Sequence, residues 1–134
     1  MVVKLLRRVL YVEAGGLAGY GVIAAIFPVW LLETVFDQPT LPEYAWVRMS
    51  GIQAVGFAML MVVVAHRIED LWWASWAFVL TAGAIALLAA LNALFGLSEG
   101  ASPAFWWFLA AGGALNAAGL LAGLAKTGTE RSPV

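Results

Sequence analysis

Four apolar stretches, residues 9–32, 46–65, 71–95 and 104–124, fill this chain almost from end to end. Each is about 20 residues or longer, the length a helix needs to cross a hydrocarbon core. Only short polar stretches separate them. The expected fold class is all-α: an integral membrane four-helix bundle forming one domain over residues 1–134, with both termini cytoplasmic. Composition agrees. Of the 134 residues, 63% are hydrophobic and 11% charged, where a soluble domain carries roughly 25% charged residues. Mean hydropathy is +0.92. A soluble fold of this size cannot hide so much apolar surface, so lipid must cover part of it.

The same inventory excludes much chemistry. A net charge of −1 rules out an extended basic surface, so nucleic acid is not an expected partner. The chain has no cysteine, which removes disulfides, thiolate metal sites, Fe–S clusters and cysteine nucleophiles. One histidine, His66, cannot build a His-rich metal site or a bis-His haem within one chain. No Ser-His-Asp order, H-E-x-x-H or phosphate loop occurs. Gly19-Tyr20-Gly21 lies inside an apolar helix with no preceding strand. The sequence therefore requires no cofactor and shows no catalytic residue, and the chain is not expected to be an enzyme.

Charge sets the expected orientation. Lys4, Arg7 and Arg8 precede the first stretch, Arg67 lies between the second and third, and Lys126 and Arg131 follow the fourth. Arg48 alone lies on the other side. This asymmetry puts both termini in the cytoplasm of a multi-pass protein of the bacterial plasma membrane. Residues 33–45 and 96–103 then face outward. Lys4, Arg7 and Arg8 before an apolar run also describe a signal peptide. The run is too long for that, contains Glu13 and Pro28, and lacks a small-x-small site after it, so it is expected to stay as the first span. The tryptophans agree: Trp30, Trp46, Trp106 and Trp107 fall at the outer boundary, and Trp72, Trp73 and Trp76 at the inner one. An aromatic belt accounts for them, and a ligand-stacking cage of Trp72, Trp73 and Trp76 is the sharper alternative.

The joints are marked as well. Pro39 and Pro42 break the chain between the first two helices, and Ser102-Pro103 matches an N-cap followed by Pro at N1. Residues 66–70 are too short for anything but an antiparallel hairpin, with Asp70 and Glu69 at the positive end of the third helix. The tail from Lys126 onward is expected to fray. Close packing is expected where small residues share a face. Gly15 and Gly19 mark such a face on the first helix. Gly112, Asn116, Gly119 and Gly123 mark one on the fourth. Packing within the bundle is the first expectation for both, and an oligomer seam the second.

Ionisable groups inside a membrane are the default functional candidates. Glu13 lies about one turn into the first helix, near Leu17 and Tyr20 and opposite the Gly15/Gly19 face. It is expected to pair with Arg67, His66 or Lys126, or else to titrate in a proton-coupled transporter. Arg48 near the outer end, with Asn92 at similar depth and Glu33, Asp37, Glu43 and Glu99 in the loops, points to a structural ion pair or hydrogen bond, with an anion or headgroup site as the sharper alternative. Gln53 and Asn116 lie nearer midplane, where two amides bond across helices or hold a quinone or pigment carbonyl. His66, ending the second helix, is an interfacial cap or a ligand to one chlorophyll or haem.

Phe27-Pro28-Val29-Trp30 at the end of the first helix, a proline-bearing outer loop, and Val47-Arg48-Met49-Ser50-Gly51 opening the second resemble the DoxX-like small four-helix membrane proteins of bacteria. The resemblance covers most of the chain through its layout. It implies an accessory or anchoring role beside quinone-linked sulfur or redox enzymes and marks no catalytic residue. The expected function is a non-catalytic, lipid-embedded subunit that stabilises or anchors a larger bacterial membrane complex, energy conversion included. Its partners would be lipids and larger membrane-protein subunits, or further copies of itself. Two alternatives stand beside it: a small proton-coupled transporter of multidrug type using Glu13, and a pigment- or haem-binding subunit through His66.

Overall fold

A computed structural model describes residues 4–97 and 99–130. The order is α1 (Lys4–Ile26), a π-helical turn (Trp30–Val35), α2 (Ala45–His66), α3 (Ile68–Leu71), a 3-10 turn (Trp72–Ala74), α4 (Ser75–Leu91), a second π-helical turn (Asn92–Gly96) and α5 (Pro103–Glu130). No strand occurs among the described residues. Four helical rods are long and apolar enough to cross a membrane: Lys4–Ile26, Ala45–His66, Ile68–Gly96 and Pro103–Thr129.

The spans expected from hydropathy are all present, with displaced ends. α1 is helical from Lys4, the first described residue, and the long side chains of Lys4, Arg7 and Arg8 are good helix formers. It ends at Ile26 because Pro28 has no N–H to continue the ladder. The chain then widens. The Phe36 N–H donates to the Leu31 carbonyl at 3.0 Å, five residues back. Asp37 follows in the left-handed region at φ 49, which a short polar side chain tolerates. At the other end of the sequence the expected fraying does not occur before Glu130. The Thr127 hydroxyl donates to the Gly123 carbonyl at 2.9 Å and Thr129 to the Lys126 carbonyl at 2.8 Å. Arg131 lies outside the described residues.

The helices form two antiparallel hairpins, α1 with α2 and α4 with α5, bridged mainly by α1 on α5. Lipid tails are as apolar as leucine, so helices associate by close approach rather than by hydrophobic exclusion. α1 and α2 meet at two glycines. A Cβ on Gly21 would stand 2.5 Å from the Gly51 carbonyl oxygen, and one on Gly51 2.6 Å from that of Gly21. Small residues recur at seven-residue steps along this contact, Ala14 and Gly21 against Gly51, Ala58 and Ala65, and all are buried. α4 and α5 meet where a Cβ on Gly113 would lie 3.0 Å from the Ala82 carbonyl. The hairpins meet where a Cβ on Gly123 would lie 2.9 Å from Leu6 Cα.

One core joins both hairpins near the end that carries the termini, with Leu6, Leu10, Met61, Ile68, Phe78 and Leu120 in it. A second core of Ala24, Leu31 and Val47 belongs to the first hairpin alone, at the loop end. There the hairpins touch through Phe36 stacked on Phe105, with centroids 4.2 Å apart, and a long Gln38–Ser102 hydrogen bond of 3.5 Å.

The glycine seams are therefore only partly where the spacing places them. Gly123 is packed tightly and Gly119 meets Val9 at 3.5 Å. A Cβ on Gly15, Gly19 or Gly112 would meet nothing within 4 Å. The buried stripe of α1 runs through Leu6, Leu10, Ala14, Gly21 and Ala24, and at about 100° per residue Gly15 and Gly19 turn away from it.

Candidate functional site

Glu13 sits on the side of α1 that faces α5. Leu6 and Val9 both touch α5, and Glu13 lies between them in helical phase, about one turn beyond Val9. The expected partners do not reach it. Arg67 instead pairs with Asp70 at 3.5 Å, both exposed. Among the described residues Glu13 has no ion pair or hydrogen bond. The reason is depth. Arg7 Nε donates to the Ala65 carbonyl at 3.0 Å, which fixes its level at the end of α2. Six residues further on, Glu13 lies about 9 Å deeper along the helix axis, beyond the level of the basic groups.

The register of the α1–α5 contact gives Glu13 a facing residue. Leu6 opposes Gly123 and Val9 opposes Gly119. One more turn along this antiparallel pair brings Glu13 opposite Asn116. Asn116 is exposed although it shares an arc with Leu120 at 0% and Thr127 at 1% exposure. The helices diverge there. Clearance along the α5 stripe grows from 2.9 Å at Gly123 to 3.5 Å at Gly119, and Gly112 has no neighbour within 4 Å. The contact is tight at Gly123 and loose at Gly112, and Glu13 and Asn116 stand between these two levels. Tyr20 is on the Glu13 face seven residues further along. Phe105 lies on the Gly112 face and stacks on Phe36.

The remaining candidates are dispersed. Gln53 and Asn116 do not bond to each other or to any other described residue, because Gln53 lies on the side of α2 away from the Gly51 contact. Arg48 forms no ion pair with the loop acids; its Nη1 donates to the Ala25 carbonyl at 3.2 Å, satisfying a terminal carbonyl of α1. Glu33 is taken by Tyr44, whose hydroxyl donates to Glu33 Oε1 and accepts from the Leu41 N–H at 3.1 Å. That bond to Glu33 holds the Tyr44 phenol above its ordinary value, because loss of the proton would set two anions together. Asn92 opens the second π turn and lies against Gly96. His66 is exposed in a polar recess of ≈ 410 Å³ with Arg7, Arg67, Glu69 and Asp70. Trp72, Trp73 and Trp76 lie at that same end, and the Trp73 indole donates to the Asp70 carbonyl at 3.1 Å.

The outward side of the first hairpin carries a different feature. Gly15 and Gly19 present bare backbone, with nothing within 4 Å of a Cβ on either of them. Beside them an apolar groove of ≈ 480 Å³ runs between α1 and α2, walled by Tyr11, Ala18, Val55, Met59 and Val62.

No protein-family model, curated protein or solved structure matches this chain. The chemistry therefore has to be read from these surfaces. The facing of Glu13 and Asn116 escapes sequence reasoning, which gives each helix its faces without the register between helices. Gly21 and Gly51 were legible as a small residue every seventh position, a signal masked by the more conspicuous Gly15/Gly19 pair.

Proposed function

We propose that this chain is a non-catalytic, four-span subunit of a larger assembly in the bacterial plasma membrane, with both termini cytoplasmic. The observation that carries this reading is the bare glycine face of α1. A glycine inside a helix is about 1 kcal/mol less favourable than alanine. At Gly21, Gly51, Gly113 and Gly123 that cost is offset by close packing; at Gly15 and Gly19, one turn apart on one face, nothing among the described residues offsets it, whereas the bare helical glycines Gly56, Gly83, Gly112 and Gly128 stand singly. A backbone from another membrane helix, seated in the adjoining groove, would do so. The spans also bury little of themselves, between 17% and 33% of their most apolar windows. The resemblance to DoxX-like accessory proteins points the same way.

The test is assembly size in mild detergent. Wild type should migrate as a complex larger than the chain, and the double variant Gly15→Leu/Gly19→Leu should release a folded monomer. Wild-type migration as a monomer sinks the proposal. Orientation is tested separately. A reporter fused at Gln38 should read as external, and a cytoplasmic signal would reverse the topology.

One observation favours the transporter alternative: Glu13 has no partner within the described residues. Flux across proteoliposomes that disappears in Glu13→Gln would support it, because an amide exchanges no proton at physiological pH. Absence of flux in wild type would remove it.

A further inference from the structure

We propose that the polar recess where α1 meets the α2–α3 joint binds the headgroup of a phosphatidylethanolamine. Arg7, His66 and Arg67 hold its phosphate, and Glu69 and Asp70 hold its primary ammonium. The inference stands independently of the subunit role and of the direction in which the chain crosses the membrane.

Three observations converge. First, the recess lies at headgroup level. Its ≈ 410 Å³ is walled by His66, Arg67 and Ile68, where one candidate span, Ala45–His66, ends and the next, Ile68–Gly96, begins. Trp73 and Trp76, 60% and 49% exposed, follow directly in the chain, and amphipathic indoles settle at the membrane–water boundary. Second, the recess carries both signs of charge. Arg7, His66 and Arg67 line it together with Glu69 and Asp70. Third, one of its cations is fixed in place. The Arg7 Nε donates to the Ala65 carbonyl at 3.0 Å, which ties α1 to the last turn of α2 and sets the guanidinium at the recess. A guanidinium has five N–H donors and serves several acceptors at once, and its planar fork matches a phosphate.

These features select among headgroups. Two permanent cations, Arg7 and Arg67, stand against two carboxylates, Glu69 and Asp70. An anionic headgroup such as phosphatidylglycerol would bring a net negative charge beside those carboxylates. A choline headgroup offers them a quaternary nitrogen with no N–H. An ethanolamine headgroup carries its phosphate and, on a short ethylene arm, an ammonium with three donors, so both signs are answered with charge-assisted hydrogen bonds. Little has to be broken to admit it. The Arg67–Asp70 pair stands at 3.5 Å with both side chains exposed, a kind of pair that contributes little by itself.

The test is native mass spectrometry of the full chain released from nanodiscs of mixed lipids with identical acyl chains. The mixture holds equal amounts of phosphatidylethanolamine, its N-monomethyl and N,N-dimethyl forms, phosphatidylcholine and phosphatidylglycerol. Wild type should retain phosphatidylethanolamine about tenfold over phosphatidylcholine, with retention falling at each added methyl group. Glu69→Gln/Asp70→Asn should lose that preference and turn toward phosphatidylglycerol, because only the cations remain. Arg7→Gln/Arg67→Gln should lower retention of every lipid in the mixture. Arg48→Gln, at the loop end, should behave as wild type does. Thermal unfolding of each variant separates lost binding from lost fold, and a reversed selectivity is not something an unfolded chain produces. Equal retention of phosphatidylethanolamine and phosphatidylcholine by wild type would overturn the proposal, as would unchanged selectivity in Glu69→Gln/Asp70→Asn. Displacement of the lipid by an equal amount of water-soluble glycerophosphoethanolamine would also overturn it, and would assign the recess to a free phosphoethanolamine compound.

Discussion

Gly51→Ala should lower the stability of the protein by roughly 2–3 kcal/mol, an unusually large effect for one methyl group. The added Cβ would stand 2.6 Å from the Gly21 carbonyl oxygen and 2.8 Å from the Ala25 nitrogen. Both are backbone atoms, so no side-chain rotation relieves the clash; α1 and α2 must separate along their whole contact. Differential scanning of the detergent-solubilised protein should show the melting temperature falling by about 10 °C. Gly83→Ala is the matched control. Its Cβ meets nothing within 4 Å, so helix propensity alone acts and stability should rise by up to about 1 kcal/mol. Equal effects of the two substitutions would mean that the hairpin is not held by the Gly21–Gly51 contact.

Gly123→Val should separate the hairpins from each other while leaving each internally intact. A Cβ at this position would already lie 2.9 Å from Leu6 Cα and 3.1 Å from Leu6 Cβ, and valine adds two further methyl groups. Leu6 sits at 0% exposure in the core that both hairpins share. The expected cost is about 3 kcal/mol. Distances between spin labels on α1 and α5 should lengthen and broaden, while those between α1 and α2 stay unchanged. Gly119→Ala, four residues earlier on the same stripe, makes an ordinary 3.5 Å contact with Val9 and should be neutral or mildly stabilising. If the α1–α5 distances did not move in Gly123→Val, the terminal-end bridge would not be what holds the hairpins together.

Hydropathy made the four spans legible because length and apolarity are properties of each segment alone. Their ends were less so. Pro28 terminates α1 earlier than the apolar run suggests, and the hydroxyls of Thr127 and Thr129 carry α5 through a polar tail. Packing was half legible. Spacing identifies which glycines share a face, as it did for Gly119 and Gly123, but says nothing of which face meets a neighbour. Gly15 and Gly19 share a face that meets none among the described residues. The candidate site shows the same limit. Glu13 stands out in any reading of α1, and Asn116 in any reading of α5. Their opposition follows only from the antiparallel register set by Leu6 on Gly123 and Val9 on Gly119. The expected pairing of Glu13 with Arg67 fails because Glu13 lies deeper than the end of α2, where Arg67 pairs with Asp70.

Site-specific photocross-linking in intact membranes tests the central claim most directly. A photoreactive residue at Gly15 probes the bare glycine face, and one at Leu87, 63% exposed on α4, probes an ordinary apolar surface. The subunit role predicts a discrete protein adduct of higher mass from Gly15 and lipid adducts alone from Leu87. Lipid adducts alone from both positions would contradict it.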